Sequence, residues 1–185
     1  EYRTVITYEV PIAKYKGCLK QYTAHPLSRS NMEQIGLGKL KGAINKITQN
    51  PNIVSITFKK FSEGRAHYYG NTEGLNVYKG KAIAVIGTPH NIPFIYKLIG
   101  VYLGYKADET LCQRIVEHNG YRFKFMTFED EQMRMLQFYL IESTIEQTIG
   151  RARLLRFDCI VYLFSNFPVK QAELIQEDYL NTERL

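Results

Sequence analysis

The chain has 185 residues, 45% of them hydrophobic and 23% charged, with a formal net charge of +6. That length fits one domain able to bury its own core, and no apolar run reaches the roughly 20 residues a membrane-spanning helix needs. The positive balance permits an anionic partner. Cys18, Cys112 and Cys159 show no CxxC spacing, so they support neither a disulfide framework nor a zinc site and read as reduced thiols of a cytoplasmic protein.

Glu1-Tyr2-Arg3-Thr4 is neither an initiator methionine nor a signal peptide, so the chain reads as a fragment of a longer protein. Residues 2–10 alternate and carry Thr, Val and Ile, which predicts a strand that Pro11 ends or places at an edge. Residues 21–29 read as a polar loop. Ser30 and Glu33 have capping-box spacing. The helix behind them would place Leu40, Ala43, Ile44 and Ile47 on one face, with Gly36, Gly38 and Gly42 weakening it. Asn50-Pro51-Asn52 signals a turn. Residues 53–61 follow as a strand with Val54, Ile56 and Phe58 on one face.

A polar, glycine-rich stretch over 62–80 leads to residues 81–87, a short, mostly apolar strand of the kind covered on both faces in a parallel sheet. Asn91 is the expected cap of a helix with Pro93 in its first turn. Its stripe would be Ile95, Leu98, Ile99, Tyr102 and Leu103, and Gly104 its stop. Asn119-Gly120 predicts a hairpin over 114–128, inside an insertion spanning 105–130. A long amphipathic helix over 129–149 carries Ile141, Ile145 and Ile149 in register. A strand over 159–164 and a polar helix from about 169 complete the chain. This alternation predicts one α/β domain over 1–185, with a mostly parallel sheet flanked by helices and a small β-hairpin insertion.

Between the long helix and the last strand lies 146–156, with Arg151, Arg153 and Arg156 just after Gly150. Clustered guanidiniums suit phosphate, because arginine offers a rigid fork of donors and stays charged at any relevant pH. A solvated basic turn accounts for the same residues, since cations are favoured at a helix C-terminus. A second feature is Asn71-Thr72-Glu73-Gly74-Leu75-Asn76, followed by Gly80 and by Gly87-Thr88-Pro89-His90 at the end of a strand. In open α/β sheets ligands bind beyond the carboxyl ends of the strands, and Gly-, Thr- and Asn-rich loops let donors approach a phosphate closely. A plain turn uses the same residues. Gln21-Tyr22-Thr23 and Ser28-Arg29-Ser30 can meet phosphate from a helix N-terminus or simply cap the helix.

Glu73-Gly74-Leu75-Asn76, then Gly80, then Ala84-Val85-Ile86-Gly87-Thr88-Pro89-His90 resembles motif V and the next strand and loop of superfamily 2 helicases. Gln147-Thr148-Ile149-Gly150-Arg151 resembles motif VI, in the expected order. The resemblance covers roughly residues 71–164. It implies a RecA-like fold, the helicase C-terminal domain of an ATP-dependent helicase or translocase. ATP would sit between this domain and an N-terminal RecA-like domain of the same polypeptide, which also holds Mg²⁺. It implies Arg151 as the arginine finger on the γ-phosphate, with Arg153 and Gln147 as the other catalytic candidates. Gly74, Asn76, Gly150 and Arg156 become nucleotide-binding candidates. Asn71, Thr72, Thr88, His90 and Arg29 become nucleic-acid contacts, with DNA preferred to RNA.

Two positions depart from the pattern. Leu154 stands where motif VI has its second arginine, and Asn76 stands where motif V ends in Asp, keeping the acceptor oxygen and losing the charge. A phosphate loop is missing. Gly36-Leu37-Gly38-Lys39-Leu40-Lys41-Gly42 lacks the Lys-Ser/Thr pair and lies in a helical pattern. Phe128-Glu129-Asp130-Glu131-Gln132 mimics an acidic Walker B pair but reads as the acidic first turn of the long helix. The isolated chain is therefore expected to hydrolyse no ATP. The competing expectation is a non-enzymatic nucleic-acid-binding module of the same fold. No metal site is expected from the scattered histidines.

Overall fold

The structure is a computed structural model that describes residues 12–62, 67–72 and 76–181. The strand expected over 2–10 lies outside the described residues, as do Glu73, Gly74 and Leu75. Strands β1 (Cys18–Tyr22), β2 (Val54–Ile56) and β3 (Ile83–Ile86) come first; β4 (Cys112–His118) and β5 (Tyr121–Thr127) form a separate hairpin. Strands β6 (Ile160–Phe164) and β7 (Glu173–Ile175) complete a five-stranded sheet in the order β2-β3-β6-β1-β7. Every pairing in it is parallel, so each return crosses a face and helices cover both faces.

Side-chain alternation divides the core between those faces. Ile83 and Val85 of β3, with Val161 and Leu163 of β6, face α4 (Glu131–Ile149) and the hairpin residues Val116, Phe123 and Phe125. Ala84, Ile86 and Phe164 face α1 (Arg29–Ile35) and α2 (Leu37–Thr48) through Met32, Leu40, Ala43 and Ile44. The chain is thus an α/β protein with a mostly parallel sheet flanked by helices. The hairpin lies between α3 (Pro93–Tyr102) and α4 in sequence. Asn119 (φ 50°) and Gly120 (φ 74°) supply the two left-handed residues of its turn. Its inner face is packed into the core, not held out from the domain.

Several local expectations give way to tertiary contacts. Ser28, not Ser30, caps α1: its Oγ accepts from Asn31 N at 3.2 Å. The expected single helix is two, because Gly36 takes φ 87°, where no right-handed helix continues. Residue 21 is not in a loop. Gln21 lies in β1, is 0% exposed, and has its amide fully engaged. Nε2 donates to the carbonyls of Ser165 (2.9 Å) and Phe167 (2.7 Å), and Oε1 accepts from Val169 N (3.1 Å). Tyr22 and Thr23 are buried too, and of the triplet Thr23 lines the cleft beyond the sheet.

The strand at 53–61 ends at Ile56, where pairing with β3 stops, and Phe58 packs on the opposite face of the sheet from Ile56. Residues 173–175 pair with β1 as a strand instead of extending a helix from 169, which covers an otherwise open edge. Asn91 does not cap α3; Ile92 holds that position and Pro93 opens the helix. The inward side of α3 is Tyr96 and Gly100, while Leu98, Tyr102 and Leu103 of the expected stripe are exposed. The absent side chain of Gly100 decides this: a Cβ there would lie 2.4 Å from Met133 Sδ on α4.

Candidate nucleotide and nucleic-acid sites

The arginine cluster lies at the amino end of the sheet, ahead of β6. Helix α4 ends at Ile149, and Gly150–Ala152 tightens into one 3₁₀ turn. Arg153 leaves that turn in the left-handed region, φ 61°. Its Nη2 donates to Asn76 Oδ1 at 2.9 Å, and Gly80 N donates to Ala152 O at 3.0 Å. The two segments that carry the helicase resemblance are therefore held together, by a side chain and by backbone. Gly74 lies outside the described residues.

Leu154 is 1% exposed and belongs to the core. Its carbonyl accepts from Lys16 N and Gly17 N. Gly17 passes so close that a Cβ would lie 2.7 Å from Leu154 Cδ2 and 2.4 Å from Cys159 O. No guanidinium fits there, which gives the physical reason for leucine at that position. Arg151 has a buried Nε with no hydrogen-bond partner. It acts on Tyr78, whose hydroxyl bonds His67 Nδ1 at 2.6 Å. Burial raises the Tyr78 pKa, and Arg151 pulls it back down. Gln147, Gly150 and Arg156 are exposed around the same turn. The buried Nε is closed to a ligand, so any phosphate contact at this turn falls to the half-buried remainder of Arg151 and the exposed groups beside it.

The remaining candidates gather at the opposite, carboxyl end. Gly87 ends β3 with φ 102°, and a Cβ there would meet Phe58 at 2.6 Å. The chain then turns into Thr88, whose Oγ1 lies 2.8 Å from Ser165 Oγ beyond β6. His90 stacks on Phe125 of the hairpin, with centroids 5.0 Å apart and planes at 26°. Burial first, and Arg29 second, lower its pKa to about 4, so the ring is neutral near pH 7. Arg29 lies over Phe58 at 5.0 Å. Arg29, Thr88 and His90 line one cleft of about 880 Å³. Asn71 and Thr72 precede β3 and do not line it; Thr72 is 4% exposed.

The residue-type reading missed Arg122 and Lys124, which line the same cleft from β5, and Asn166 beyond β6. The signal was present in Tyr121-Arg122-Phe123-Lys124-Phe125, where cations alternate with aromatics. Among the described residues no group of three His, Cys, Asp or Glu is arranged to hold a metal, and no helix is long and apolar enough to cross a membrane. No family model, curated protein or solved structure matches the chain.

Proposed function

We propose that the chain is the second RecA-like motor domain of an ATP-dependent helicase or translocase. The Arg153–Asn76 hydrogen bond carries this reading, because it joins the two motif-like segments across 77 positions. The parallel five-stranded sheet between helices is compatible with it. On this reading Arg151, half-buried at that turn, is the arginine finger. ATP with Mg²⁺, bound by an N-terminal RecA-like domain, supplies the phosphoryl group. A guanidinium offered across a cleft neutralises charge developing during transfer, worth about 10³–10⁵ in rate in other nucleotide hydrolases. Arg153, tied to Asn76, braces the turn that presents Arg151. Gln147, Gly150 and Arg156 stand around it. Arg29, Thr88 and His90 serve the nucleic acid, DNA in preference to RNA.

Purified alone, the chain is expected to bind an oligonucleotide in fluorescence anisotropy and to release no phosphate from ATP. Robust hydrolysis by the chain alone overturns the reading. Joined to its N-terminal domain, it should turn over ATP and lose that turnover on Arg151→Ala while still binding nucleic acid. A second reading, a non-enzymatic nucleic-acid-binding module of RecA-like fold, draws on the cleft's position at the far end of the sheet from the arginines. A longer polypeptide that turns over no ATP even with Arg151 intact decides for that module.

A further inference from the structure

The hairpin β4–β5 is docked against the carboxyl end of the sheet, with one strand left as a wall of the cleft. Val116, Phe123 and Phe125 anchor its inner face in the core. Two polar contacts tie this strand to the loops beyond the sheet: Asn166 Nδ2 donates to Lys124 O at 3.4 Å, and Thr23 Oγ1 lies 3.3 Å from Tyr121 OH. Alternation along β5 buries the aromatics and leaves Arg122 and Lys124 exposed. Both line the cleft, as does Arg29 from α1. Among the described residues no carboxylate lines it. Glu117 is the cross-strand partner of Arg122 and shares its face of the hairpin, but it does not line the cleft. Between the cationic walls sits the His90 ring, stacked on Phe125.

We propose that this hairpin is the second wall of a groove for single-stranded nucleic acid, with Arg122 and Lys124 gripping the phosphate backbone opposite Arg29 and with His90 presenting a ring for an unpaired base. The proposal rests on the nucleic-acid reading of the cleft. A concave, basic site with an aromatic ring at its floor matches a strand whose bases are splayed out. A duplex keeps its bases stacked inside, and is read by convex elements entering a groove.

The test is fluorescence anisotropy of the chain with a labelled 12-mer of thymidine and with a blunt 12-base-pair duplex, across a salt series. Arg122→Gln with Lys124→Gln should weaken single-strand binding about tenfold at low salt. It should also flatten the slope of log K against log salt by about 1.4, since each phosphate contact in a single strand is worth about 0.7. Both side chains are exposed, so the variant is expected to keep the wild-type circular dichroism and thermal midpoint. Lys39→Gln with Lys46→Gln on α2 removes the same charge away from the cleft and should leave the slope unchanged. An equal loss in that control, or duplex binding as tight as single-strand binding, overturns the proposal. So does an unchanged slope in the hairpin variant while Arg29→Gln weakens binding, an outcome that leaves the nucleic-acid reading standing. A wild-type chain that binds neither probe defeats that reading itself.

Discussion

Arg153 Nη2 and Asn76 Oδ1 are 2.9 Å apart, and the bond fastens the loop before β3 to the loop before β6. Arg153 holds φ 61° to make it, a conformation few non-glycine residues adopt. A charged donor meeting a neutral amide keeps the two loops in register without requiring a buried ion pair.

This bond is partly exposed, so its worth is small. Asn76→Ala is expected to cost under about 1 kcal/mol of stability. Asn76→Asp turns the contact into an ion pair and should be stabilising at low salt, with the gain fading at high salt. Thermal unfolding at two ionic strengths measures both. An Asp variant whose stability ignores salt would show that Arg153 does not reach this position in solution.

Leu154→Arg, which writes the second motif VI arginine into the chain, should unfold it instead of improving it. The site is 1% exposed and hemmed in by the Gly17 backbone, and burying an unpaired charge costs on the order of 4 kcal/mol or more. Leu154→Ala should cost about 2–5 kcal/mol through the cavity it leaves. Denaturant unfolding of both variants is the check, and a stable Leu154→Arg protein would contradict the packing.

His90 makes stability depend on pH. Burial and then Arg29 lower its pKa from 6.5 to about 4. The unfolded chain therefore takes up this proton at a higher pH than the folded one. The contribution is complete above about pH 6.5 and is lost as pH falls toward 4, by on the order of 2–3 kcal/mol. His90→Gln should flatten the denaturant midpoint between pH 4 and 7. An unaltered slope would assign the acid sensitivity to other groups.

Glu142 latches the hairpin to α4. Burial raises its carboxyl pKa, but hydrogen bonds from His118 (3.1 Å) and Asn119 (2.8 Å) outweigh that and hold it below the ordinary 4.5. The lowered group contributes stability above its unfolded pKa, and that stability is lost as pH falls through the folded value. Glu142→Gln is expected to cost about 1–3 kcal/mol at pH 7 and less at pH 3, with faster amide exchange in the hairpin. Exchange rates equal to wild type would show that the apolar contacts alone hold β4–β5.

The elements legible in the sequence are those whose cause is local. Asn119-Gly120 makes its turn by tolerating positive φ, and Ile141, Ile145 and Ile149 share one face of α4 because a helix repeats every 3.6 residues. Residues 83–86 read as a buried parallel strand because both of their faces are apolar. The elements that escaped are those defined by a distant partner. Cys-Leu-Lys-Gln-Tyr has no strand pattern of its own and becomes β1 only between β6 and β7. Ser28 and Ser30 are chemically equal caps, and the chain ahead of α1 is fixed by a distant contact, Thr88 N donating to Leu27 O at 3.0 Å. The inner face of α3 was hidden because the contact is made by a missing side chain, Gly100 against Met133.

The candidate sites divide in the same way. By itself the sequence determined the residue types: guanidiniums after Gly150, a Gly-Thr-Pro-His corner after a buried strand, and cations alternating with aromatics along β5. Only the tertiary structure decided their company. It put Arg153 on Asn76, buried Leu154 and Gln21, and sent the arginine cluster and the Arg29–His90 cleft to opposite ends of one sheet. Backbone direction is the reason. In a parallel sheet every loop before a strand lies at one end and every loop after a strand at the other, so residues dozens of positions apart meet according to which side of their strands they occupy.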